Sequence, residues 1–158
     1  MTTERTMPAN PLALEHQVCF ALAIAARSVI GLYRPVLEPL GLTHPQYLVM
    51  LALWEFEPVS VKDLSGMLQL EPATLSPLLK RLESAGLLRR DRDTRDERSL
   101  AVALTDQGRA LRDDALEVPP AIVARLGLDL DELMELHERL TRVIAAARNA
   151  GPAPRGED

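Results

Sequence analysis

The sequence contains one cysteine and three histidines, and each low count excludes a kind of site. A single cysteine, Cys19, rules out an internal disulfide framework and a cysteine-rich zinc site. The histidines lack the paired spacing of metal ligands, so we expect no metal ion. The sequence shows neither a glycine-rich phosphate loop nor a nucleophile–base pair. We therefore do not expect an enzyme or a cofactor.

The sequence also lacks an excess of basic charge and a long apolar run. Its 18 Lys and Arg against 23 Asp and Glu give a net charge of −5, which argues against a protein that coats DNA but allows a local basic patch to bind it. The charge-free run from His16 to Ala26 is shorter than the roughly 18 residues of a membrane span. We expect a cytoplasmic protein with no membrane partner.

Helix signals are frequent, and hydrophobic residues make up 47% of the 158 positions, enough for one folded domain with arms. The stretch Leu12–Arg34 is apolar nearly all round, which predicts a long helix with more than one buried face, ended by Pro35. Thr43 and Gln46 have the spacing of a capping box before a second helix. Pro119-Pro120 is expected to bend the chain before a last helix that begins near Asp129.

The middle of the chain predicts a winged helix-turn-helix, so the expected fold class is mainly α with a small β-hairpin wing. Ser60 is the expected cap of a short helix, and Pro72 opens a second helix that closes at Ala85-Gly86. The segments Leu87–Arg90 and Leu100–Leu104 flank a charged tract, the second alternates large and small residues, and together they predict the two strands of the wing.

The terminal helices exceed what a small winged domain needs, so we expect them to pack against a second copy of the chain. The alternative is that they fold back within one chain. The expected organisation is a disordered arm at 1–11, a dimerisation region at 12–42 and 106–150, a DNA-binding lobe at 43–105 and a disordered tail at 151–158.

The helix that begins at Pro72 has the pattern of a DNA recognition helix. Its leucines recur at the period of a buried stripe, which leaves short hydroxyls to approach base edges and cations to reach phosphates. Pro77 lies inside this helix and is expected to bend it. The residues of this helix predicted to contact DNA are Thr74, Ser76, Pro77, Lys80 and Arg81.

The charged tract supplies a second predicted contact. From Lys80 to Arg98 there are seven basic and five acidic residues, whereas the rest of the chain has a net charge of −7. Arg95 and Arg98 suit a narrow minor groove, and Asp96 is expected to orient one of them. A solvated loop whose charges pair with each other is the alternative.

The order of helices, the Ser60–Gly86 segment and the Asp93–Arg98 wing resemble the MarR family of winged-helix regulators. Within that family the chain is most similar to the organic-hydroperoxide-resistance, or OhrR-like, branch. The segments that carry this resemblance are Gln17–Phe20, Tyr33–Pro35, Pro45–Leu48, Leu53–Glu55, Thr74–Glu83 and Asp96–Arg98.

The resemblance implies a homodimeric repressor that leaves a pseudo-palindromic operator when organic hydroperoxide oxidises a cysteine, here Cys19. It implies that two tyrosine hydroxyls of the partner subunit hold the thiolate. Tyr33 matches one of them, but the other position is His44, whose imidazole could replace the phenol or indicate another signal. With one cysteine per chain, a small thiol or overoxidation would complete the reaction.

Two other functions stay open. The chain could be a MarR-type regulator released by a small apolar or phenolic ligand without cysteine oxidation. It could also be a winged-helix module that contacts only proteins.

Overall fold

The computed structural model describes residues 9–92 and 100–151. Seven α-helices and three strands occur within these ranges. They are α1 (Val18–Leu37), α2 (His44–Phe56), β1 (Val59–Ser60), α3 (Val61–Leu68), α4 (Pro72–Ser84), β2 (Leu88–Arg92), β3 (Leu100–Leu104), α5 (Asp106–Ala115), α6 (Val118–Leu126) and α7 (Leu130–Ala150). The chain forms two compact units, Met1–Val118 and Pro119–Asp158.

The first helix departs from the sequence prediction at both ends. A 3-10 turn at Leu14–His16 precedes it, and Gln17 is extended, so the α-helix begins only at Val18. Pro35 lies inside α1 rather than ending it. Proline removes only its own N–H bond, and burial of Leu37 stabilises the turn that follows.

The next three helices begin at the residues that the sequence predicted. Thr43 and Gln46 form the capping box of α2, and the Ser60 hydroxyl accepts the Asp63 N–H at 3.0 Å to cap α3. Gly86 closes α4 with a positive φ of 76°, and the Leu87 N–H bonds the Leu82 carbonyl at 3.0 Å. The core of the first unit is mostly leucine and valine, including Val49, Leu53, Leu64, Leu75, Leu79, Leu82, Leu88, Val102 and Leu104.

The wing belongs to a three-stranded sheet with strand order β1-β3-β2, one strand more than the predicted hairpin. β3 pairs antiparallel with β2 from Leu88↔Leu104 to Arg92↔Leu100, and with β1 at Val59↔Val102. The missed strand is two residues long, too short for an alternating pattern to reveal it. Among the described strands, β3 is therefore central and β2 lies at an edge of the sheet.

The second unit corrects another prediction. Pro119 and Pro120 do not mark a bend between helices but lie in the first turn of α6, where the missing N–H groups cost little. Asp129 and Glu132 then form a capping box at the start of α7. None of the residues of α7 is buried.

One described stretch, Val18–Leu40, is long and apolar enough to cross a membrane by length and composition, with a mean hydropathy of 1.4. Arg27, Arg34 and Glu38 interrupt this stretch, so it is not a charge-free run. Only 6% of its most apolar window is buried by the rest of the chain. This helix therefore has apolar faces that its own chain does not cover.

Candidate functional site

The α4 helix separates a buried leucine face from an exposed polar face. Leu75, Leu79 and Leu82 are at most 1% exposed and pack into the core. All five residues predicted to contact DNA from this helix are exposed, namely Thr74, Ser76, Pro77, Lys80 and Arg81. The helix continues through Pro77 to Ser84. The described part of the chain thus leaves these hydroxyls and cations accessible to a ligand.

The second predicted contact can be placed only in part. Arg95, Asp96 and Arg98 lie outside the described residues. At the base of the wing, two arginines are engaged by acids: Arg89 bonds Asp91 at 2.8 Å along β2, and Arg90 bonds Glu83 of α4 at 2.7 Å.

The carboxylate of Glu83 is held by its arginine in three bonds. The Arg90 guanidinium donates to it from Nε at 3.2 Å and Nη2 at 2.7 Å, and the Arg90 backbone N–H donates at 3.3 Å. These hydrogen bonds and the positive charge lower the pKa of Glu83. Counting charges along the sequence missed this bridge, because its partners are separated by a turn.

Cys19 is the second residue of α1 and is exposed. Within residues 9–92 and 100–151 no side chain caps this helix, and the Gln17 amide instead donates to the carbonyls of Pro11 at 2.7 Å and Ala13 at 3.2 Å. Oxidation of a thiol requires that the oxidant can reach it. The accessibility needed for oxidation is therefore present.

Tyr33 and His44 lie side by side, with ring centroids 4.9 Å apart in an edge-to-face arrangement. Tyr47 continues the cluster at 6.0 Å from Tyr33 and 6.5 Å from Trp54. Burial lowers the pKa of His44, which favours the neutral imidazole. Burial, and secondarily the charge of Tyr33, raises the pKa of Tyr47.

One chain does not bring all three predicted redox residues together. Tyr33 follows Cys19 by 14 positions on the same helix, which corresponds to about 21 Å along the axis. Tyr33 and His44 are assembled, but Cys19 is at the other end of α1. A thiol beside the Tyr33–His44 pair would have to come from another chain.

A cavity of about 560 Å³ opens beside His44, at the end of α1 and the start of α2. Its wall is mostly apolar and contains one guanidinium, from Arg34, and one carboxylate, from Glu38. No sequence signal predicted it, because the cavity is formed where the chain turns between two helices. The lining residues are Ile30, Gly31, Arg34, Glu38, Gly41, Leu42, Thr43, His44 and Pro45.

Comparison with known proteins gives one consistent result. A model of the MarR family matches residues 42–100. The HTH-type transcriptional regulator TtmR of Methylorubrum extorquens is 44% identical over 83% of this chain and 67% of its own length. The organic hydroperoxide resistance transcriptional regulator of Bacillus subtilis is 41% identical over 77% of this chain and 85% of its own.

Solved structures agree with these sequence relatives. Reduced AbfR bound to DNA is 34% identical, has a TM-score of 0.69 and covers 85% of this chain and 94% of its own. CouR of Rhodococcus jostii RHA1, bound to p-coumaroyl-CoA, is 27% identical, with a TM-score of 0.72, over 84% and 94% of the two chains.

Proposed function

Because this chain belongs to the MarR family of DNA-binding transcriptional regulators, we propose that it is a cytoplasmic homodimeric repressor released from its operator by oxidation of Cys19. The observation that carries the DNA-contact part is the exposed hydroxyl and cation face of α4 over a buried leucine stripe. Thr74 and Ser76 would meet base edges, and Lys80 and Arg81 would meet phosphates. Arg95 and Arg98 would enter the minor groove, and Asp96 would orient one of them.

The proposed dimer is supported by apolar surface that is exposed in each unit. In the first unit, α1 and the turn before it expose Leu14, Val18, Ile24 and Ile30, at 39–68% of their surface. In the second unit, α7 exposes Leu130, Met134, Leu136, Val143 and Ile144, at 45–63%. Burial of such faces against a second copy of the chain lowers the free energy of the dimer. A twofold dimer presents two α4 helices to an inverted repeat.

The proposed sensing step begins with oxidation of the Cys19 thiol. The sulfur of Cys19 attacks the O–O bond of an organic hydroperoxide, which yields a sulfenic acid and an alcohol. A small thiol then condenses with the sulfenic acid to give a mixed disulfide and water. In the dimer, Cys19 of one protomer would lie at the Tyr33–His44 pair of the other, and modification would disturb the packing there.

One experiment tests the sensing step. The reduced protein first selects a duplex from a random DNA pool, and binding to it is followed while cumene hydroperoxide is added. We expect the parent to dissociate while the mass of the Cys19 peptide increases by one oxygen or by the added thiol. We expect Cys19→Ser to stay bound under the same conditions. Release of Cys19→Ser by the peroxide would contradict the redox proposal.

A second candidate function is favoured by the cavity beside His44. Its size and mostly apolar wall suit a small aromatic ligand, and the Arg34 guanidinium could donate hydrogen bonds to an acid group. The structural relative CouR, whose solved structure holds p-coumaroyl-CoA, supports release by such a ligand. Release of both the parent and Cys19→Ser by a phenolic acid, with no change in the mass of the parent's Cys19 peptide, would favour this function.

A further inference from the structure

We propose that Glu83 and Arg90 set the position of the wing against the recognition helix, and so determine operator specificity without contacting DNA. The bridge is the three-bond contact described above, in which one carboxylate holds both the backbone and the side chain of Arg90. This inference rests on the α4 face proposed as the DNA contact.

The first observation that supports the proposal is the position of Glu83 on α4. Ser76, Lys80 and Glu83 follow one another at i, i+4 and i+7, so they lie along one stripe of the helix. Glu83 is the last of the three and faces strand β2. The stripe proposed to contact DNA therefore ends at a carboxylate that would repel phosphates if it were left unpaired.

The position of Arg90 on an edge strand carries the second step. β2 pairs only with β3 among the described strands, and Arg90 lies opposite Val102. Its N–H points away from β3 and is accepted by Glu83, so this bond joins α4 directly to the backbone of the wing. This bond satisfies a backbone donor that an edge strand would otherwise leave unpaired within the described chain, so Glu83 acts on the strand itself as well as on the Arg90 side chain.

The guanidinium of Arg90 carries the third step. Its Nε and Nη2 both donate to Glu83, and its side chain is 26% exposed. Arg90 is therefore used within the chain, and its charge is not offered to phosphate. Without Glu83, the wing would lose a fixed distance from α4, and a free arginine would appear beside the DNA face.

The test compares Glu83→Gln with the parent for binding to the duplex that the parent selects and to random duplexes. We expect affinity for the selected duplex to fall, affinity for random duplexes to rise, and their ratio to fall about threefold or more. An unchanged ratio, with both proteins equally folded in urea unfolding, would overturn the proposal.

Asp91→Asn is the matched control. It removes the same charge and frees Arg89, but the Arg89–Asp91 pair lies within one strand and joins no two elements. We expect its ratio of selected to random affinity to stay near that of the parent. An equal loss in both variants would mean that net charge alone governs specificity, which would overturn the proposal.

The double variant Glu83→Gln, Arg90→Gln separates geometry from charge. It restores the parent's net charge while the bridge is absent, so we expect random-duplex affinity to return and selected-duplex affinity to stay low. Recovery of both affinities would overturn the proposal. Lys80→Ala, measured in parallel, tests the α4 face itself, because losing a phosphate contact lowers the salt slope of binding by about one.

Discussion

Gly108, in the first turn of α5, shows how a single residue can limit the packing of the first unit. A Cβ built on it would overlap the carbonyl oxygen of Leu87 and lie 3.0 Å from its carbonyl carbon. Its own carbonyl accepts the Trp54 indole N–H at 2.9 Å, and its N–H is capped by Thr105 at 3.0 Å. Since these contacts are largely backbone, the site has little freedom to relax.

We expect Gly108→Ala to lower the free energy of unfolding by about 2–4 kcal/mol, because the added methyl group forces backbone apart. Gly66→Ala is the control, because nothing lies within 4 Å of its added Cβ and it lies in α3. There alanine should raise stability by up to about 1 kcal/mol. Urea unfolding measures both, and similar values for the two variants would refute this account of Gly108.

Glu83 gives a prediction on pH. Its pKa in the folded chain is below the ordinary 4.5 because Arg90 bonds the ionised carboxylate. The unfolded state therefore takes up the proton first, so the stabilisation is complete above 4.5 and is lost as pH falls through the lower folded value. The pair is partly exposed, so its contribution is at most about 1 kcal/mol.

The parent should thus exceed Glu83→Gln in stability near neutral pH, and the difference should narrow on acidification below 4.5. Urea unfolding of both proteins across this range measures it. A difference that is constant or grows at low pH would contradict the ion-pair assignment.

Among the elements, the recognition helix α4 contains a proline that local propensity disfavours. Pro77 is exposed and cannot donate to the carbonyl of Ala73 one turn earlier. We expect Pro77→Ala to stabilise the chain by up to about 3 kcal/mol, since little packing is lost and a helix bond is gained. Thermal or urea unfolding checks this, and an unchanged or lower stability would show that the proline ring supports the fold.

The elements also show what sequence reasoning reaches. The caps at Thr43, Ser60 and Asp129 were predictable because each acts on amides two or three residues away. The helix α6 was missed because two adjacent prolines read equally as a break or as a helix start, and only packing distinguishes these.

Within the candidate site, too, the part with a local sequence signal was predictable and the rest was not. The exposed face of α4 followed from the leucine period, which is a local signal. The Glu83–Arg90 bridge and the cavity beside His44 depend on how separate elements meet, and no local pattern encodes them.

The proposed function requires the whole molecule to be a dimer of two chains. We expect Ile144→Glu in α7 to weaken self-association about tenfold or more, because it places a charge on a face proposed to be buried between copies. Met67→Glu in α3 is the control, since Met67 and Ile144 are 47% and 48% exposed but only Ile144 lies in a proposed interface. Sedimentation velocity over a dilution series measures both, and equal effects would contradict the assignment of the interface.

The most direct test of the central claim is the mass of the complex between the reduced protein and the duplex that it selects from a random pool. We expect two chains on one duplex, and a selected sequence with two inverted half-sites about one helical turn apart. One chain per duplex, or a selected sequence without inverted symmetry, would contradict it.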